Sequence, residues 1–295
     1  MDSLVGAVRS GDGTVRVVTC ELVLSVRELA EIVLQIAAST TAGPTLLERF
    51  DVRDGGGLSQ LGRDLGGPHG SRLQVVIAPP GRLEVSYRGE IASRAPAIGP
   101  LGALSPSAEA WWESPGYQQQ MYLRPSRYCP SDHLVGFAVA EFGIGADIGD
   151  RVATITRWIG QRIGYVPGSS SVHDSAEDTL LRGVGTCRDF AHLGIALCRA
   201  IGIPARFAAV YAPGLSPMDF HAVFEAFHDE RWYVYDATGL APRQSLVRIA
   251  TGRDAADAAF AAVTRGIVDL ESLEVSATIA PALPLDDQQL LVELA

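Results

Sequence analysis

Lysine is absent from this chain: all 24 basic residues among its 295 are arginine. No lysine can therefore act as a nucleophile or as an amine acceptor. Basic clusters are missing too, and 34 acidic residues bring the net charge to −10. Nucleic acid and anionic membrane surfaces are poor partners for such a surface. The four cysteines, Cys20, Cys129, Cys187 and Cys198, include no CxxC pair. The start, Met1-Asp2-Ser3-Leu4, has neither the basic nor the apolar region of a signal peptide. No apolar run nears the roughly 20 residues that a membrane span needs. These absences predict a cytoplasmic protein with reduced thiols and no membrane association.

What is present is apolar side chain, 47% of the composition, enough for a sizeable core in one large domain or two ordinary ones. The first hundred residues read mainly as β structure. Thr14–Leu24 alternates and is rich in β-branched residues, while Leu73–Ala78 and Arg82–Arg88 flank the turn signal Pro79-Pro80-Gly81. Ile32–Ile36 fits either a helical face or a strand. The glycine-rich stretch Asp54–Gly70 reads as an exposed loop. Residues 95–108 hold three prolines among Ala, Gly and Ser and read as a linker. Beyond it, Leu134–Phe142, Ile148–Ile163, Ser175–Leu181 and Cys187–Ile201 carry helical periodicity, the last ended by Gly202. Strands are predicted over Arg206–Tyr211, Phe220–Phe227 and Arg231–Ala237.

Three residues in this second half form a chemical pattern. Cys187 follows Gly183-Val184-Gly185-Thr186 at the mouth of a helix, where the helix dipole and a neighbouring imidazolium would both favour a thiolate. Gly183 and Gly185 would let the chain turn and bring backbone N–H groups to the thiol, as donors to an oxyanion. His221 and Asp236 lie on successive strands. If Asp229-Glu230 is a two-residue hairpin loop, His228 faces Arg231, Val223 faces Asp236, and His221 lies diagonal to Asp236 on the same face. A three-residue loop would break that parity. The set reads as nucleophile, base and orienting acid. His192 is five residues after Cys187, about 140° around the helix, and reads as a packing or hydrogen-bonding residue. Cys198 reads as core, Cys129 as either core or surface, and His173 and His228 as loop residues. Asp189 is expected to point away from the sulfur, and Tyr165 and Trp232 suit either a cleft or the core. No paired ligand spacing supports a zinc site made from Cys187, His192 and His221.

Four segments resemble the transglutaminase-like superfamily: Gly185–Leu193, Ala200–Arg206, Asp219–Ala222 and Arg231–Thr238, within roughly residues 120–280. Arg124–Pro130 resembles the entry segment of bacterial members, and the β-rich start is similar to the domain that precedes their core. The resemblance implies an α+β fold: a papain-like core, with its Cys-bearing helix packed on an antiparallel sheet, after a β-rich N-terminal domain. The implied divisions are 1–94, a linker 95–119, a core 120–282 and a C-terminal tail 283–295. It also implies Cys187 as nucleophile, His221 as base and Asp236 as orienter, acting on a peptide or protein amide without metal or organic cofactor. Hydrolysis by a cysteine peptidase or amidase is favoured over transfer to an amine, and a non-catalytic binding module is the third reading. Where the family commonly has tryptophan after His-Ala this chain has Val223, which is expected to reshape the acyl-binding wall; Ala237 stands where proline is frequent.

Overall fold

A computed structural model describes residues 13–58, 61–93, 115–143 and 147–294. The chain opens with β1 (Val15–Val26), whose alternation turns Val18, Cys20, Leu22, Leu24 and Val26 into the core. Antiparallel beside it runs β7 (Gly81–Ala92), with Leu83, Val85, Tyr87 and Ile91 buried. β3 (Thr45–Asp54) and β4 (Gly57–Leu58) extend this sheet. A second sheet holds β2 (Ala30–Leu34), β5 (Leu61–Gly66) and β6 (Arg72–Ala78), so the ambiguous Ile32 run is a strand. The stretch expected as an exposed loop, Asp54–Gly70, instead contains β4, β5 and a 3-10 turn at Pro68–Gly70. Its glycines mark reversals, and the residues between them still pair through backbone. The proline-bearing segment 95–108 lies outside the described residues, and the end of the expected linker starts α1 (Pro115–Met121).

The second half carries α2 (Val135–Phe142), α3 (Ile148–Arg162), β8 (Gly164–Tyr165), α4 (Ala176–Arg182), β9 (Val184–Gly185) and α5 (Cys187–Ala200). Four antiparallel strands follow, β10 (Ala205–Tyr211), β11 (Phe220–His228), β12 (Arg231–Tyr235) and β13 (Val247–Gly252), in the order β12-β11-β10-β13. Almost every residue of α5 after Arg188 is buried, because β10 and β11 cover one side and α2, α3 and α4 the others. This is the α+β arrangement expected, with the Cys-bearing helix against an antiparallel sheet. The β11–β12 turn is Asp229-Glu230, both at positive φ, +48° and +61°, the handedness that suits strand twist in a two-residue hairpin.

The last strands depart from the expected divisions. β14 (Ala261–Arg265) pairs with β2, and β15 (Val268–Ala280) pairs with β1 along nearly its whole length. Residues counted with the core thus complete both sheets of the N-terminal half. The two halves also share polar ties. Buried Arg16 donates to the carbonyls of Leu246, Ala42 and Ala92. The Tyr211 hydroxyl donates to Ile36 O at 2.7 Å, and its ring stacks on Tyr87. The C-terminal tail is docked as well: Val234 N–H meets Val292 O at 2.8 Å, and Arg243 pairs with Asp286.

α5 passes close to the sheet at Gly194, where an added Cβ would lie 2.5 Å from the Phe224 ring. Alanine there would gain up to about 1 kcal/mol in helix propensity. Overpacking against a ring already stacked on Tyr235 costs about 1–3 kcal/mol. We therefore expect Gly194→Ala to be destabilising by up to about 2 kcal/mol in urea unfolding; a stabilised variant would contradict this packing.

Candidate active site

Cys187 opens α5, and the cap of that helix is built by its neighbours. The Asp189 carboxylate accepts the Thr186 N–H at 2.8 Å, the Thr186 hydroxyl at 2.9 Å and the Ser170 hydroxyl at 2.8 Å. Burial pushes this acid up, but those donors and Arg188 outweigh it, so Asp189 stays below the ordinary carboxylate value. The carboxylate is committed to the cap, as expected of a group that should not oppose a thiolate. Gly183, at φ +68°, ends α4 and gives its N–H to Thr179 O at 2.9 Å. That amide is spent on the helix end.

The other thiols differ from Cys187. Cys20, Cys129 and Cys198 are buried, and burial raises each to about 12. Cys187 alone is part-exposed. Tyr165, opposite Gly185 in the small parallel β8–β9 pair, packs edge-on to Phe190 at 5.9 Å. Its phenol is raised to about 12, first by burial and then by the neighbouring Cys187 sulfur. Tyr165 thus stands beside the thiol, a contact that no periodicity in the sequence announces.

His221 sits near the start of β11 and Asp236 just past the end of β12. The hairpin register has His228 opposite Arg231 and Phe224 opposite Tyr235, the pairing that the two-residue loop requires. His221 Nε2 and Asp236 Oδ2 are 2.9 Å apart, both side chains almost fully buried. Asp236 Oδ1 accepts the N–H and the hydroxyl of Thr238 at 2.9 and 2.7 Å, so both carboxylate oxygens are fixed. Thr238 is the orienting contact that residue reading missed. Burial alone would lower the His221 pKa; the Asp236 carboxylate overrides it, Cys187 adds to the rise, and the ring reaches about 10. Burial likewise opposes the Asp236 charge, and His221 and Thr238 outweigh it, leaving the acid below its ordinary value. His221 Nδ1 is buried with no hydrogen-bond partner. Cys187 is thus near enough to influence the ring without standing in hydrogen-bond geometry. Such bonds are commonly long in substrate-free enzymes.

Cys187 and His221 both line one cavity of about 370 Å³, whose remaining wall is mainly apolar. His192 is excluded from it by its own bonding. It is fully buried, stacks on Tyr128, and its Nε2 accepts the Ala255 N–H at 3.1 Å. Burial lowers it to about 4, keeping it neutral as that acceptor requires. His228 is not a loop residue: it ends β11, buried, between Asp229 at 3.0 Å and the Tyr235 hydroxyl at 2.8 Å. His173 does lie in an exposed turn. Val223 does not wall the cavity either. It pairs opposite Ala208 and is buried in a separate apolar cluster with Val210 and Val234. Trp232 lies under the Arg206 guanidinium, 4.0 Å from its ring centre.

Residues 139–237 match the model of the transglutaminase-like superfamily. The chain is 31% identical to a candidate cysteine protease from Cytophaga hutchinsonii, over 94% of this chain and 96% of that one, with a TM-score of 0.79. It is 29% identical over 150 residues to an uncharacterised protein of Mycobacterium leprae, 46% of this chain and 52% of the relative, so the match spans about half of that relative's length. The periplasmic domain of TgpA from Pseudomonas aeruginosa is 18% identical over 72% of this chain and 88% of that one, with a TM-score of 0.38. The cytoplasmic expectation is withdrawn: it rested only on the absence of a leader, and such an absence does not place the protein. No helix among the described residues is long and apolar enough to cross a membrane.

The His221–Asp236 pair sets a pH window. A histidine raised from 6.5 to about 10 contributes stability that is complete below pH 6.5 and lost as pH rises toward 10. The depressed Asp236 contributes above the ordinary value of 3.8 and is lost in stronger acid. NMR titration of His221 should show an imidazolium persisting past pH 8, and Asp236→Asn should bring its midpoint down. A wild-type midpoint near 6.5 would contradict the pairing.

Proposed function

The chain belongs to the transglutaminase-like superfamily, and on that premise we propose that it is a cysteine peptidase or amidase using Cys187, His221 and Asp236. One observation carries the reading. A buried imidazole is tied through Nε2 to a fixed carboxylate while its other nitrogen stands unpartnered beside a part-exposed thiol at a helix mouth. An imidazolium that persists to about pH 10 is a charge partner for a thiolate. In that charge pair the thiol proton already rests on His221 Nδ1, and the thiolate sulfur attacks the amide carbonyl. The N–H of Cys187 itself, at the first helical position, is the backbone donor suited to the oxyanion. His221 then returns the proton to the leaving amine, a thioester remains on Cys187, and water activated by His221 resolves it.

Asp236 acts through the ring by holding its orientation and stabilising its charge. Water is favoured over an amine as acceptor by the likeness to the Cytophaga hutchinsonii protein, which is described as a candidate cysteine protease. A panel of N-acyl p-nitroanilides tests the assignment. Cys187→Ala should abolish hydrolysis, and His221→Ala should lower kcat/KM by about 10²–10⁴-fold. The double variant should be no worse than Cys187→Ala alone, because the two groups act as a unit. Turnover by Cys187→Ala at the wild-type rate would overturn the proposal.

A further inference from the structure

The cavity at Cys187 is shaped by an unusual run of small residues. Its floor is the face of β10, β11 and β13 that holds Phe207, Ala209, Phe220, Ala222 and Ile249. Ala209 lies opposite Ala222, so two methyl groups meet on the cavity floor where larger side chains would fill the space. Bulky rings close the ends. Ile249 is aimed by a bulge: the β10–β13 pairing passes from Ala209–Ala250 to Val210–Arg248 and leaves Ile249 unpaired. Bulges commonly re-aim a side chain beside an active site.

The facing wall is the loop 253–260, and ties from several elements hold it. The Gln35 amide donates to Asp257 O at 3.3 Å and Ala259 O at 3.4 Å. His192 Nε2 takes the Ala255 N–H. Arg199 donates to Arg253 O at 2.7 Å, and Asp254 accepts the Tyr128 N–H at 3.0 Å. Gln35 belongs to the N-terminal half, just after β2, so both halves build the cavity. Among the described residues its lining contains no acidic side chain, and Arg188 is the one permanent charge there.

Resting on the nucleophile assigned above, we propose that this cavity binds the acyl side of the substrate. The group it takes is an uncharged aliphatic or single-ring aromatic side chain next to the scissile carbonyl. Burial of such a group against alanine, phenylalanine and isoleucine is favourable, and it enters a volume of about 370 Å³ within the range of ordinary ligand pockets. A cationic side chain would lose its hydration beside Arg188 with no carboxylate to meet it. Gln35 is a positioning residue: it lines the cavity and holds the loop wall through the Asp257 and Ala259 carbonyls.

The test uses p-nitrophenyl esters of acetic, 3-phenylpropionic and 6-aminohexanoic acid with the full chain. In each, a bond forms between the Cys187 sulfur and the acyl carbon. The ester C–O bond breaks and p-nitrophenolate leaves with the electron pair, while His221 keeps the proton it already holds from the thiol. Acylation is followed by release of p-nitrophenolate and located by mass on Cys187. The phenylpropionyl ester should acylate about tenfold or more faster in kcat/KM than either of the others. In Ala209→Phe, and independently in Phe260→Ala, the phenylpropionyl-to-acetyl ratio should fall toward one. Gln35→Ala should lower that ratio mainly through KM. Acylation of Cys187 at equal rates by all three esters would overturn the pocket while leaving the nucleophile in place. Absence of any ester-derived mass on Cys187 would overturn the nucleophile itself, and the pocket with it.

Discussion

The buried Glu225 carboxylate is the fixed point of the second half. It lies on β11, the strand that carries His221, and is almost wholly buried. Arg206 of β10 reaches it at 2.8 Å, and Arg248 of β13 takes both its oxygens at 2.8 Å. Burial opposes its charge, but the two guanidinium groups override that and hold it well below the ordinary carboxylate value. Removing one partner from such a cluster strands a buried charge, at a cost of about 3–5 kcal/mol. A one-residue slip of β11 would turn Glu225 to the opposite face and leave both arginines unpaired. The cluster therefore fixes the register on which His221 depends. Arg248 also holds Leu294 O, and Arg206 is within 3.2 Å of His69 Nδ1, so the same charges anchor the C-terminal tail and meet the N-terminal half.

From that fixed sheet the site follows by short steps. The two-residue hairpin carries Asp236 back to His221, Thr238 holds the far carboxylate oxygen, and the close pass at Gly194 sets α5 against the sheet. Cys187, at the start of that helix, lines one cavity with His221. Three groups close to Cys187 in sequence are engaged elsewhere: Asp189 in the cap, His192 with the Ala255 amide, Gly183 at the end of α4. The N-terminal half contributes Gln35 to the opposite wall, which makes it part of the cleft as well as a neighbour of it.

Much of this was legible in the residues. The helices and the core strands follow from periodicity, and the parity of a two-residue loop was enough to bring His221 and Asp236 to one face. What escaped has a common cause. β15 pairs with β1 from the far end of the chain, and no local pattern reports a partner that distant. Glycines in Asp54–Gly70 look like a loop because turn chemistry hides the short strands between the turns. Val223 sits beside His221 in sequence, yet its cluster lies away from the cavity. His228 looked like a loop residue because it adjoins a turn, but Tyr235 across the hairpin gives its ring a buried partner. Thr238, Gln35 and Tyr165 are ordinary in sequence and matter only through what they touch.

The central claim is that Cys187 carries the acyl group of an amide substrate. The absence of lysine makes its digestion map simple, since Arg182 and Arg188 bracket the tryptic peptide Gly183–Arg188 that contains it. Incubation with peptide and cell-extract fractions, an acid quench, and mass analysis of that peptide read the claim directly. The account predicts a thioester adduct on Cys187 that is lost in Cys187→Ala and diminished in His221→Ala. Turnover of substrate with Cys187 unmodified at every quench time, or with the adduct on Cys20, Cys129 or Cys198, would contradict it.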